Sequence, residues 1–492
     1  MGDRRGEHPQ LPHPAREGEG VPRRPRGPGR ARGRQAARAR PADAGRGRGL
    51  GAAPRVGAAR PRGARRPGRG GREARPARAR APVRRALRPD HLLGESVDEA
   101  RTTGGAGAEL LRRRNAASVL RSLRSDGPAS RAELAARTGL AKATVGTIVG
   151  GLEESGVLRE LEQVRSGDRG RPAVRVTLEG GRPVGVGFEA NVEYVAAVAV
   201  DLAGAVRLRR TRPVADVADV ADALCGLAAE VAILLAGDGL VPVGATVAVP
   251  GLIEPDDRTI SWTPNLPLAG TAVAEGVDAA FGWRDRVRVS NDADCGALAE
   301  LHHGAGRDVE HLLYLTGDVG IGAGLVEAGR LVRGARGFAG EVGHLLLGEP
   351  GAACGCGRRG CWEASVGLHA LLERVGMAEL ATPRETAEAI AAAALEDPAV
   401  RAGVVASGEW LGRGLAVVCG VVDPSVVVLG GYFAPLGELV LGPARAVLTD
   451  AFAAPVQVAP ELRVGALGTE AAALGAAERA VAGVLAGHTD LP

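Results

Sequence analysis

Apolar positions follow three regimes along the 492 residues. Up to about Arg88 there is almost nothing large and apolar to bury. From about residue 108, Leu110, Leu111, Val119, Leu120 and Leu123 recur at helical spacing over residues 109–125, and Gly127-Pro128 stops the pattern. Ser130-Arg131-Ala132-Glu133 has the form of a capping box, in which the Ser hydroxyl and the Glu carboxylate each satisfy a backbone N–H at a helix start. It predicts a short helix over residues 131–137, closed by Thr138-Gly139. Lys142–Glu154 predicts a third helix, with Val145, Ile148, Val149 and Leu152 on one face and Lys142, Thr144 and Thr147 turned outward. Residues 157–161 and 174–178 then read as two strands around a tip that carries Arg165, Arg169 and Arg171.

Three helices and a basic hairpin in that order predict a winged helix-turn-helix. Lys142, Thr144 and Thr147 would face bases or adjacent phosphates, and Arg169 and Arg171 would sit against phosphates or in a minor groove. An ordinary helical hairpin is the competing reading of the helices alone. Ala141 leaves the third helix without a side-chain acceptor at its start, and Gly150-Gly151 weakens its end.

After Gly181-Arg182-Pro183 the texture changes to strands and helices. Residues 184–200 read as a strand meander turning at Asn191 and again at 201–204, 217–235 as an Ala-rich helix, and 243–249 as a buried strand. A second set follows from Leu312: strands at 312–316, 323–327 and 330–333, a long helix near 402–421, a strand at 426–429 and a closing helix at 470–482. Two successive sets predict a two-lobed α/β body with a ligand cleft between the lobes.

Charge is unevenly placed. Residues 1–100 hold 26 Arg, no Lys and 10 acidic groups, whereas the other 392 residues hold 36 basic and 47 acidic groups. The overall +5 therefore does not describe a basic surface spread over the whole protein. The first 105 residues, rich in Arg, Gly, Ala and Pro, are expected to be disordered. They read either as a basic arm adding non-specific nucleic-acid affinity or as a start assigned too far upstream in a GC-rich gene; one Lys against 61 Arg favours the second. The longest apolar candidate, residues 415–429, is broken by Asp423 and Pro424, so no membrane span is expected. No secretory leader is evident, and a cytoplasmic location is expected.

The sharpest chemical signal is His344-x9-Cys354-x-Cys356-x4-Cys361. Three thiolates and an imidazole make a tetrahedral Zn2+ set with no position left open, hence a structural site. The competing reading is three unrelated thiols. Cys225, Cys295 and Cys419 sit in helical apolar contexts and read as core residues.

From about Arg114 to the C-terminus the sequence resembles the ROK family (repressors, open reading frames and kinases), in its transcriptional-regulator branch. The resemblance is carried by Ser130-Arg131-Ala132-Glu133-Leu134-Ala135, Gly170-Arg171-Pro172, Pro264-Asn265-Leu266, Asn291-Asp292-Ala293, Ala339-Gly340-Glu341-Val342-Gly343-His344, Cys354-Gly355-Cys356-Gly357 and Gly360-Cys361-Trp362-Glu363. It implies an α/β two-lobed actin-like sugar-kinase (ribonuclease H-like) fold over residues 181–485, preceded by a winged helix-turn-helix over 106–180. It also implies that Asn265, Asn291, Asp292, Glu341, His344 and Glu363 contact a sugar, with Asp292 at the position of the kinases' general base. His344 would bind zinc through one ring nitrogen and face the sugar with the other.

Family kinases carry an Asp-x-Gly-Gly-Thr phosphate loop after the first strand. Here that strand runs into Gly187-Phe188-Glu189-Ala190-Asn191, and the second phosphate-type loop, 316–322, contains Asp318. The expectation is therefore a regulator rather than an enzyme: a repressor of carbohydrate-utilisation genes that binds operator DNA as a homodimer or dimer of dimers. A monosaccharide or sugar phosphate would be its effector. The rival readings are an ATP-dependent sugar kinase with an appended DNA-binding domain, and a zinc-stabilised interaction module that binds neither sugar nor ATP.

Overall fold

The computed structural model describes residues 104–161, 174–318, 320–453, 458–489 and 491. The basic head up to residue 103 and the hairpin tip with Arg165, Arg169 and Arg171 lie outside the described residues.

The N-terminal module comprises α1 (Gly104–Asp126), β1 (Ala129–Ser130), α2 (Arg131–Thr138), α3 (Lys142–Glu154), β2 (Leu158–Glu160) and β3 (Arg175–Leu178). Its three strands form one sheet in the order β1-β3-β2. The capping box is made in full. Ser130 Oγ accepts from the Glu133 amide at 3.2 Å, and the Ser130 amide donates to Glu133 Oε2 at 2.7 Å. Gly139, with φ 72°, closes α2 in the left-handed conformation, so the chain can turn sharply into α3. No side chain caps α3 at Ala141. On α1 the buried face is Ala117, Val119, Leu120 and Leu123, whereas Leu110 and Leu111, assigned to that face by spacing, are exposed.

The first lobe holds β4 (Pro183–Ala190), β5 (Tyr194–Asp201), β6 (Val206–Pro213), α4 (Val220–Gly237), β7 (Val241–Val249), β8 (Leu252–Ile253), β9 (Ile260–Trp262), α5 (Val273–Ala280), β10 (Val287–Asn291) and α6 (Asp292–His303). The second holds β11 (Leu312–Gly317), β12 (Ile321–Glu327), β13 (Arg330–Leu331), α7 (Glu363–Val366), α8 (Leu368–Val375), α9 (Pro383–Glu396), α10 (Pro398–Val422), β14 (Val426–Gly431), α11 (Phe433–Leu436), α12 (Glu438–Ala451) and β15 (Glu461–Val464). The closing helix, α13 (Ala471–Leu485), returns to the first lobe, where Gly185 and Gly187 of β4 let its backbone approach the sheet.

Both lobes repeat one sheet plan. The orders are β6-β5-β4-β7-β10 and β13-β12-β11-β14-β15. In each, the first strand pairs antiparallel with the second and parallel with the fourth. A sheet plan used twice, with helices between, is the actin-like architecture the sequence implies.

Each lobe has its own core. Phe188, Leu224, Leu227, Val247 and Val289 fill the first, and Leu313, Trp362, Leu411, Leu415 and Phe433 the second. A third core is shared. Val119, Leu120, Leu123, Val145 and Val149 of the winged helix pack together with Leu202, Val243, Val481 and Val484 of the body.

One part of the membrane expectation is corrected: residues 415–429 are not the longest apolar candidate. Two helical stretches, Val217–Gly237 and Pro398–Val422, are long and apolar enough to cross a membrane by length and composition. Val, Leu and Ala raise their mean hydropathy, but Gly and charged residues such as Asp222, Glu230, Arg401, Glu409 and Arg413 interrupt them, which is why the sequence pattern did not mark them. Each sets its larger side chains into a lobe core, Leu224, Leu227, Val231 and Leu235 from one and Val404, Leu411, Leu415 and Val418 from the other.

Candidate effector cleft and metal centre

Asn291 ends β10 and caps α6. Its Oδ1 accepts from the amides of Ala293 at 2.9 Å and Asp294 at 3.2 Å, and its Nδ2 donates to the Gly251 carbonyl at 3.1 Å. The side chain thus fixes the corner where the next residue, Asp292, enters the cleft. Asp292 accepts from the Ala293 amide at 2.8 Å. Burial raises its pKa to about 6, and the charges of Asp318 and Glu341 add to that rise. Glu341 stands beside both His344 and Glu363, and burial raises its pKa as well.

Glu363 ties two loops together. Its Oε2 accepts from the Ile321 amide at 2.9 Å, and the Cys354 thiol lies 3.3 Å from its Oε1. The structure thus gathers Asp292, Glu341, His344 and Glu363. Asn265 is exposed on the segment between β9 and α5.

The four expected metal ligands converge. One ligand atom from each of His344, Cys354, Cys356 and Cys361 lies within 4.8 Å of all the others. Cys354 Sγ is 3.8 Å from His344 Nδ1, and Cys356 Sγ is 3.7 Å from Cys361 Sγ. Zn–S bonds of ~2.3 Å in a tetrahedron place sulfurs about 3.8 Å apart, so the donor set and its spacing suit a metal ion such as zinc. The other thiols stand apart from it: Cys295 and Cys419 are buried and Cys225 half-buried.

Beside Asp292 the cleft holds a pattern that the sequence did not reveal. Asn191 follows β4 in the first lobe and Asp318 follows β11 in the second, and Asn191 Nδ2 donates to Asp318 Oδ2 at 2.8 Å. Beside them Tyr194 Oη is 2.8 Å from Glu189 Oε1 and 2.8 Å from the Thr469 carbonyl, and the Ala473 amide donates to Glu189 Oε2 at 3.1 Å. A hydroxyl has one proton and a carbonyl can only accept. The three groups are satisfied together when the Glu189 carboxyl is protonated, its O–H donating to Tyr194 and the Tyr194 O–H to Thr469. Burial pushes Glu189 up to about 8, in agreement. Glu193 is raised to about 7 by burial and by the charges of Asp318 and Glu385. The cavity these residues line, with Thr316, Arg384, Gly431 and Tyr432, holds only about 90 Å³.

On the winged helix, Lys142 and Thr147 are exposed, and Thr144 is half-buried. Thr144 and Thr147 line a cavity of about 510 Å³ together with Arg112, Asn115 and Leu120 of α1 and Val484, Thr489 and Leu491 near the C-terminus. Both threonines thus border α1, Thr144 the more buried of the two, a direction that the helical spacing alone did not separate from the open face.

Fold and site together define a helix-turn-helix protein with a two-lobed, sugar-kinase-like body and a His/Cys3 cluster beside its cleft. The chain belongs to the ROK family, whose profile matches residues 186–482, and an IclR helix-turn-helix profile matches residues 114–162. It is 30% identical over 358 residues to a putative xylose repressor of Caldicellulosiruptor sp., covering 69% of this chain and 88% of that protein. It is also 30% identical over 277 residues to a glucokinase of Streptomyces coelicolor, covering 53% of this chain and 85% of that one. The crystal structure of a ROK family transcriptional regulator, a homologue of the Escherichia coli MLC protein, shares the fold with a TM-score of 0.65 at 23% identity, over 77% of this chain and 98% of the other.

Proposed function

We infer that the protein is a sugar-responsive transcriptional repressor of carbohydrate-utilisation genes, acting in the cytoplasm as a homodimer on a pseudo-palindromic operator. The observation that carries this reading is that a helix-turn-helix and a ROK body share one hydrophobic core. A ligand in the body can thereby bias the reading head directly. Lys142, Thr147 and the uncapped start of α3 contact DNA, with Thr144 at the edge of that face and Arg169 and Arg171 supplied by the wing. A monosaccharide or sugar phosphate binds Asp292, Glu341, His344 and Glu363, with Asn265 and Asn291 at the cleft margin. Carboxylates and amides suit a ring of hydroxyls, since they accept and donate with strict geometry. The His344, Cys354, Cys356 and Cys361 cluster holds a structural Zn2+, which supplies a fixed cross-link for the loop that carries His344 and Glu363.

The protein is not a kinase in this reading. The positions where the resemblance would place a kinase's phosphate loops hold Glu189, Asn191 and Asp318, of which Asn191 and Asp318 are bonded to each other across the lobes, and the space left is well below the roughly 300–1,000 Å³ of ordinary ligand sites. One observation favours the rival, an ATP-dependent sugar kinase: Asp292 keeps the position of the general base, and its pKa of about 6 suits that task.

The two readings part in one experiment. D-xylose, D-glucose and N-acetyl-D-glucosamine are screened for a rise in melting temperature. The sugar that binds is then tested for release of a duplex selected from a random pool by the protein, and for phosphorylation by ATP. Release without turnover supports the repressor; turnover abolished by Asp292→Asn supports the kinase. A protein stabilised by none of the three, nor by their phosphates, is neither.

A further inference from the structure

We propose that Arg124, Glu478 and His303 form the joint through which occupancy of the cleft reaches the winged helix. This deepens the repressor reading and rests on it. The three residues come from three elements. Arg124 lies in the last turn of α1, Glu478 on α13, and His303 at the end of α6. Arg124 Nη2 donates to both Glu478 oxygens, at 2.7 and 2.6 Å, and His303 Nε2 is 2.6 Å from Glu478 Oε1. The glutamate side chain is only 3% exposed. Among the described residues it is the one carboxylate paired with Arg124.

The other end of α6 is the cleft. Asn291 caps the helix and Asp292 is its first residue, so a ligand held by Asp292 bears on the start of a 12-residue rod. At 1.5 Å per residue that rod carries a displacement about 18 Å, to His303. The helix is not free to absorb it. Ala293, Asp294, Cys295, Ala297, Ala299 and Leu301 are buried, and a Cβ added at Gly475 of α13 would run into the Cys295 carbonyl. Backbones that touch in this way move as one body.

At the far end, burial would raise the pKa of Glu478, but the His303 bond and the Arg124 charge outweigh it and hold the carboxylate ionised, near 2. A buried charge cannot be left unpaired without cost, so when α6 carries α13 with it the Glu478–His303 pair shifts against Arg124 and re-seats α1. His302 and the turn at Gly204 close the remaining sides. Sugar acts through this joint by binding one seating of α6 better than the other.

The test uses the full chain, the sugar that binds among D-xylose, D-glucose and N-acetyl-D-glucosamine, and the selected duplex. The readout is the ratio of duplex Kd with saturating sugar to that without. In Arg124→Met the ratio falls at least fivefold, while the sugar Kd by calorimetry stays within threefold of wild type. Arg124→Lys, which keeps the charge, restores the ratio to within twofold. A buttress of merely structural value would alter affinity or melting temperature, and not the ratio alone. An unchanged ratio in an Arg124→Met protein that binds both ligands overturns the joint and leaves the repressor reading standing. A wild-type protein that binds sugar without releasing DNA overturns both. Where Arg124→Met does not fold, His303→Leu, at the opposite side of the same carboxylate, is judged by the same ratio.

Discussion

Replacing Glu189 by Gln isolates one buried ionisation. Glutamine has the size of the protonated acid, its Nε2 can donate to Tyr194 Oη, and its Oε1 can accept from the Ala473 amide, so the contacts of the neutral form are kept. What it removes is the titration. The folded-state pKa is about 8 against an ordinary 4.5, raised chiefly by burial, with Asp292 and Asp318 adding to it. Because the folded state holds the proton more tightly, this group's contribution is fully present below pH ~4.5 and is lost as pH climbs toward 8. At about 1.4 kcal/mol per tenfold in affinity for the proton, the loss is roughly 1 kcal/mol at pH 5 and roughly 3 kcal/mol at pH 7. At about 2 °C per kcal/mol for a cooperative unit of ~200 residues, Gln should gain ~5 °C on wild type between those two pH values. Scanning calorimetry of both proteins from pH 5 to 8 measures the gap, and other titrating groups cancel in the difference. A gap that stays flat across this range refutes the assignment of a neutral Glu189.

Three further outcomes follow from the same structure. Elemental analysis should find one zinc per chain, and Cys356→Ser or prolonged chelation should remove it and lower the melting temperature; full stability after metal loss would exclude a structural role for the cluster. A Cβ added at Gly414 would press into the buried Trp362 ring, so Gly414→Ala should cost about 1–3 kcal/mol in urea unfolding, and a neutral result would contradict this packing. Lys142→Ala should weaken duplex binding nearly uniformly across sequences and reduce the slope of log K against log salt by about 1, which fluorescence anisotropy at several salt concentrations measures.

Legibility in the sequence depended on how local each feature was. The Lys142–Glu154 helix was visible to the residue, because one apolar stripe runs its length and turn signals bracket it. The His/Cys3 cluster was equally visible, since its four ligands fall within eighteen residues. Strand β6 was not. Only Leu208 along it is buried, and it is otherwise an edge of exposed residues in which Arg209, Arg210 and Arg212 pair with Glu470 and Glu230. It has the polarity of a loop. Helix α6 was legible only as a helical context for Cys295, without bounds: it is buried nearly all round by small residues, so no stripe with a helical period marks its length. The Asn191–Asp318 contact and the Arg124–Glu478–His303 cluster join positions far apart in the chain, and no local pattern announces either.

The closing helix α13 also sets an order of events during synthesis. The winged helix leaves the ribosome before the body, yet Val119, Leu120 and Leu123 share their core with Val481 and Val484, more than 350 residues downstream. Until the last helix emerges, the reading head has part of its apolar face uncovered and Arg124 has no counter-charge. A polypeptide cut short before Ala471 would carry every residue of the helix-turn-helix and still lack the surface it rests on. Nascent and truncated chains are thereby poorly equipped to occupy an operator, and competence to bind DNA arrives together with the completed sugar-sensing body.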